Sequence, residues 1–193
     1  TKVRREGAIA IRIAKLCHDI NEEGLLAVDQ RIVVVLLALE FCKSGNGTVT
    51  DLERGFIATL AESLNISNEE YDIIEKFVLN SFTEIPSSQN LLVISGTRTD
   101  ATGNTKFAFR DQLKGQIWIL YVPSVNMHFL RHARSGELSM NGLLLKENKV
   151  YPISHGSSIK GYNISPIYHW DITMLFLKEE FKASRVVYEV NNL

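Results

Sequence analysis

A change of apolar period at Pro86 is the strongest constraint on what this chain can fold into. Before it, apolar residues recur at helical spacing. After it, they alternate or cluster in short runs between Gly, Pro and Asn. Two differently built units therefore share one chain. The expected class is α+β: a helical bundle over 1–84, then a small, mostly antiparallel β-sandwich or barrel over 88–183. Charge divides at the same place. Residues 1–86 carry 9 basic and 14 acidic side chains, a net of −5, and residues 87–193 carry 12 and 8, a net of +4. The contrast fits charge-complementary docking of the two units, and equally fits ordinary solvated faces. A formal charge of −1 overall argues against a general nucleic-acid binder.

The longest apolar run, Ile32 to Leu39, lies between Arg31 and Glu40. A membrane span needs about 20 apolar residues, so this run reads as a buried helix and no direct membrane insertion is expected. Residues 1–20 interleave Arg4, Arg5, Arg12 and Lys15 with apolar positions and show no signal-peptide pattern. Cys17 and Cys42 sit in helical patterns and read as small core residues. Two cysteines make no disulfide framework, which points to a reducing, cytosolic compartment.

Four or five helices are expected in the first half. Ile9, Ile13, Leu16 and Ile20 mark one helix face. Leu25 to Lys43 is apolar almost all round, hence central and enclosed by its neighbours. Thr50-Asp51-Leu52-Glu53 and Ser67-Asn68-Glu69-Glu70 are both capping-box patterns. The first opens a buried stripe of Leu52, Phe56, Ile57, Leu60 and Leu64; the second opens one of Tyr71, Ile74, Phe77 and Val78. The loop between the second and third helices can be aligned with an EF-hand through Gly47, Val49 and Glu53. Its early ligand positions would then be Cys42, Ser44 and Asn46. A hard cation needs several anionic oxygens, so a capped helix start is the better reading.

This half resembles the TerB-like (tellurite-resistance) helical domains. The resemblance rests on Ser44 to Glu53, matching the family's acidic "A-D-G-x-[IV]-x-x-x-E" turn, and on Leu64-Asn65-Ile66-Ser67-Asn68-Glu69-Glu70, matching "L-x-[IL]-[ST]-x-E-E". Asn46 stands where the family has an acidic residue. A metal role implied by the family therefore does not carry over to this chain.

In the second half, strands are expected at Leu91 to Ser95, Gly115 to Val122, Glu137 to Met140, Leu143 to Leu145, Lys149 to Ile153, Ile172 to Leu177 and Arg185 to Val190. Asn141-Gly142 is a hairpin signal, because both turn residues must take positive φ. Pro152 marks an edge strand, since it cannot donate to a ladder. Asp111 to Lys114 reads as a turn.

Chemistry in this half is thin. His128 and His132, four apart, share one face of a helix or a strand. A zinc site needs three or four ligands, so a fuller site would have to recruit His155 or His169. Gly103-Asn104-Thr105-Lys106 lacks the adjacent Gly-Lys-[Ser/Thr] of a phosphate loop and reads as a plain loop. No catalytic, cofactor-binding or metal-ligating residue is assigned.

Four further stretches carry a second resemblance. They are Val122-Pro123-Ser124-Val125-Asn126-Met127-His128-Phe129-Leu130-Arg131, Met140-Asn141-Gly142, Gly156-Ser157-Ser158-Ile159-Lys160 and Pro166-Ile167-Tyr168-His169-Trp170-Asp171-Ile172. Together they are similar to the region preceding the ATPase cassette in large bacterial ABC transporter ATP-binding proteins, mainly of Bacteroidetes type. The last stretch has His169-Trp170 where those proteins have Tyr-Ser. The β-rich part is also similar to forkhead-associated (FHA) domains, with Gly156-Ser157-Ser158 at the place of their Gly-Arg. The Arg that pairs with phosphate is absent, and Lys160 is the nearby cation. Residues 184–193 resemble the first strand of an ABC ATPase domain cut short; a natural terminal edge strand is the other reading.

The resemblance implies a non-catalytic regulatory or protein-interaction segment whose parent hydrolyses ATP for transport. ATP and Mg are then expected only in the missing cassette. The implied partners are that cassette, its membrane domain and another protein. The implied place is the cytoplasm, on a protein associated with the inner membrane. The alternatives are a free-standing TerB-like stress protein and a small metal- or nucleotide-binding enzyme.

Overall fold

In the computed structural model the described residues are 11–12, 15–46, 49–97, 103–134 and 136–177. The chain is α+β and divides into two compact units. One comprises residues up to Pro86 with Leu120–Met127; the other comprises Ser87–Ile119 with residues from His128 on.

Among the described residues the first unit holds, besides Leu120–Met127, four helices: α1, of which 11–12 and 15–22 are described, α2 (Val28–Asn46), α3 (Asp51–Ser63) and α4 (Asn68–Leu79). α2 packs on both α3 and α4. The core they share comprises Ile32, Val35, Leu36 and Leu39 from α2, Ile57 and Ala61 from α3, and Ile74, Phe77 and Val78 from α4. Burying each large side chain contributes roughly 1.5–3 kcal/mol.

Local chemistry sets the helix boundaries. Thr50 Oγ1 accepts from the Glu53 amide, and the Glu53 carboxylate accepts from the Thr50 amide at 2.8 Å, a complete capping box. α3 ends on Asn65 at φ 61, with the Asn65 amide donating to Glu62 and the Ile66 amide to Ala61. That is a Schellman closure, and Asn tolerates the left-handed residue it requires. Side chains from elsewhere in the bundle satisfy the exposed carbonyl ends. Asn21 donates to Ser63 O at 2.7 Å, and Lys43 donates to Val78 O at 2.7 Å.

Several expectations for this unit are corrected. α2 is not enclosed all round: Leu37 is 62% and Phe41 79% exposed. Leu52 and Phe56 lie outside the α3 core as well, and Leu16 is exposed while its neighbour Cys17 is buried. An apolar side chain at helical spacing is buried only if another element covers that face, which periodicity alone does not encode. Cys42 is only half-buried. The second capping pattern is half used: Ser67 Oγ accepts from the Glu70 amide, and the return bond is not made. Ile9, Ile13 and Gly47 lie outside the described residues.

Among the described residues, the strand-rich part holds two open sheets rather than a closed barrel. The first comprises β1 (Leu91–Ser95), β2 (Lys106–Phe109), β3 (Gln116–Val122), β4 (Met127–Ala133) and β7 (Tyr151–Ile153), in the order β2-β1-β3-β4-β7. The second comprises β5 (Leu138–Met140), β6 (Leu143–Leu144), β8 (Ser158–Gly161) and β9 (Ile167–Tyr168), in the order β6-β5-β8-β9, with every pair antiparallel. β1 is buried along its whole length, which fits its continuous apolar run. β7 is the expected edge strand, with Pro152 opposite Phe129. Asn141 and Gly142 take φ of 52° and 83° in the β5–β6 turn, and residues 111–112 form a turn, both as expected.

Two features depart from the sequence reading. β1 and β2 pair in parallel, Leu92 against Lys106, across the short connection 96–105. Residues 172–177 form no strand; they lie in α5 (His169–Leu177). A short apolar run does not distinguish strand from buried helix. The deciding contact is local. Asp171 Oδ2 accepts from the Tyr168 amide at 3.1 Å, the return half of a capping box, and Ile172 and Phe176, four apart, share the buried side. β2, β4, β8 and β9 add strands that periodicity did not mark. The strand expected at 185–190 and the terminal segment 184–193 lie outside the described residues.

Candidate functional site

Three of the motif stretches, Met140–Gly142, Gly156–Lys160 and Pro166–Ile172, meet at the turn ends of the second sheet. The tight β5–β6 turn leaves the Asn141 side chain free to reach sideways. Its Nδ2 donates to Ser157 Oγ at 3.2 Å and its Oδ1 accepts from the Ser158 amide at 3.0 Å. Ser157, only 2% exposed, also accepts through Oγ from the Ser154 amide, and its carbonyl accepts from the His169 amide at 2.9 Å. One asparagine and one buried serine thus tie the β5–β6 turn, the β7–β8 turn and the start of α5 together. Lys160 stands exposed on β8 opposite Ser139.

Beside this knot, three histidines from separate segments come into ring contact. His128 on β4 meets His169 on α5 edge to face, centroids 5.3 Å apart, and packs on Phe176 at the same distance. His169 in turn meets His155, from the β7–β8 turn, at 4.6 Å. Thr173 Oγ1 lies 3.5 Å from His169 Nδ1 and donates to the His169 carbonyl. Burial, followed by the neighbouring His169 and His155, holds the His128 imidazolium down to about 4. His169 is lowered too, by burial and then by His155.

The pairing of His128 with His132 is not made. Both lie on β4 and both are buried, but four residues of strand separate them by about 13 Å. His132 is lowered chiefly by burial, opposed by Glu147 and by the backbone of Leu145 and Lys146. His169 meets both His128 and His155. Among the described residues, no group of three or more His, Cys, Asp or Glu is placed to hold a metal ion. Glu53, the twelfth position of the EF-hand alignment, is committed to Thr50. The Thr50 amide, then its hydroxyl, hold the Glu53 carboxyl below its usual range.

The opening of α5 also carries an exposed aromatic surface. Tyr168 is 52% and Trp170 68% exposed. Asp171, which follows Trp170, pairs at 3.7 Å with Arg110, the residue after β2 and after the exposed Phe109. Sequence reasoning missed Ser154, Phe176, Lys106 and Arg110, because no local signal links β2 or the β7–β8 turn to α5. No helix among the described residues is long and apolar enough to cross a membrane. Comparison with family models, with curated proteins and with solved structures gives no match.

Proposed function

We propose that this chain is a non-catalytic regulatory or protein-interaction segment of an ABC transporter ATP-binding protein. On this reading a TerB-like helical unit precedes an FHA-like strand-rich unit, and the parent hydrolyses ATP in a cassette outside this sequence. One observation supports the reading: several residues of the resembling motifs bond to one another or to their immediate neighbours. Asn141 holds Ser157 and Ser158, Ser157 holds His169, and Asp171 holds Tyr168 and Arg110. Motifs of this kind specify a scaffold, and the scaffold presents Phe109, Tyr168 and Trp170 outward. Exposed aromatics beside an arginine have the composition of interaction surfaces.

Two measurements test it. The coding sequence beyond Leu193 should encode a Walker A loop and the rest of a cassette; a stop codon or an unrelated domain there refutes the assignment. In the parent protein, Trp170→Ala should change the rate of ATP turnover while leaving nucleotide affinity unaltered. Unchanged turnover refutes the regulatory role.

A further inference from the structure

The His128–His169–His155 contact asks for an explanation beyond packing. Three ionisable rings from β4, the β7–β8 turn and α5 meet there, and the buried one, His128, fills a place where an apolar side chain would pack without any dependence on protons. His128 is 2% exposed and lies against the Phe176 ring, so α5 covers it with both its first and its last turn. We propose that this three-imidazole contact is an acid-operated catch: with the rings neutral it holds α5 on the five-stranded sheet, and protonating His128 frees the helix.

Among the described residues, burial and the neighbouring His169 and His155 disfavour a charge at His128. From α5 comes His169, and from the β7–β8 turn His155. From β2, Lys106 Nζ lies 5.9 Å from the Phe176 ring centroid. β3 and β7 flank β4 in the sheet and carry no charged residue; their titratable side chains are Tyr121 and Tyr151. The α5 carboxylate, Asp171, is engaged by Arg110 and by the Tyr168 amide. An imidazolium at His128 would therefore be buried beside two other potential cations, the half-buried His169 and the exposed His155, and separation of α5 from β4 relieves both its burial and that repulsion.

The sign follows from linkage. His128 favours its neutral form when packed, so the contact is at full strength above the ordinary imidazole range and weakens as pH falls from about 6.5 toward about 4. Between pH 7 and pH 4.5 this corresponds to a rise of roughly 60-fold in the open population.

Hydrogen exchange on the full chain, corrected for intrinsic rates, reads this directly. On lowering the pH to 4.5, amides of α5 should lose protection by roughly that factor, while those of α3 and α4 keep theirs. His128→Phe, which fills the same place with a ring that takes no proton, should keep α5 protected at pH 4.5. Parallel loss of protection in α3, α4 and α5, an α5 that stays closed, or a His128→Phe chain that opens as the natural one does would each overturn the proposal. A measurement needing no substitution stands beside it: the His128 ring proton should titrate together with α5 opening. Titration of His128 with α5 still protected would also overturn it. These outcomes concern the strand-rich unit alone, so they stand or fall separately from the transporter assignment.

Discussion

Replacing Asn141 separates two contributions that the β5–β6 turn combines. The residue sits at φ 52 and its side chain makes two bonds, to Ser157 Oγ and from the Ser158 amide. Each bond contributes about 0.5–1.5 kcal/mol net, nearer the lower figure on an exposed turn. Asn141→Gly keeps the backbone geometry and loses the bonds, so it should cost about 1–2 kcal/mol. Asn141→Ala loses the same bonds but keeps a Cβ in the left-handed region, without the polar side chain by which Asn tolerates it, and should cost about 1 kcal/mol more than Gly. Urea unfolding followed by tryptophan emission is the assay. Both tryptophans, Trp118 and Trp170, belong to the strand-rich unit, so the signal reports the unit in which the knot lies. With a urea slope of about 2 kcal/mol per molar, the Gly variant should move the midpoint by about 0.5–1 M and the Ala variant by about 1–1.5 M. An Ala variant within about 0.5 kcal/mol of the natural protein would refute the reasoning, because the motif residues would then not be what holds these loops. Equal costs for Gly and Ala would show that the turn backbone adds nothing.

Three further outcomes are expected. Thr50→Ala removes the hydroxyl that accepts from Glu53 and should destabilise the helical unit by about 1 kcal/mol, read from a thermal melt at a helix-sensitive wavelength. Gly115→Ala places a Cβ at φ +70 directly into the backbone of Ala133 and Arg134; a loss of about 3 kcal/mol is expected, seen as a lowered urea midpoint. Tyr71 is 9% exposed, and its hydroxyl has no partner among the described residues. Burial, then Glu75, push its phenol up to about 12, against a partial opposing effect of Arg54. The neutral form is therefore favoured in the fold, and stability is complete below pH 10 and lost as pH rises from 10 to about 12. Tyr71→Phe should be neutral or stabilising at pH 7 and should flatten that alkaline loss in equilibrium unfolding.

Local chemistry was legible wherever one short segment contains its own reason. Thr50 and Glu53 reach each other within a single helical turn, and Asn141-Gly142 supplies both positive φ values of a hairpin. Pro152 marks an edge because it lacks a donor. The stripe Tyr71, Ile74, Phe77 and Val78 is buried as its spacing implied. The histidine cluster was not legible: the spacing of His128 and His132 places both on one strand, whereas the ring contacts run from His128 to His169 and from His169 to His155, across three segments.

The sequence by itself determined the α+β class, the positions of the helix caps and hairpin, and the change of building plan near Pro86, because these depend on backbone preferences and contacts a few residues apart. Tertiary structure alone decided that Leu37, Phe41, Leu52 and Phe56 face outward, that 172–177 is helical, that β2 joins β1 in parallel, and that three histidines distant in sequence share one contact. Each of these depends on which element arrives to cover a surface. Burial and ring contact are properties of pairs of segments, and a linear pattern records only one member of each pair.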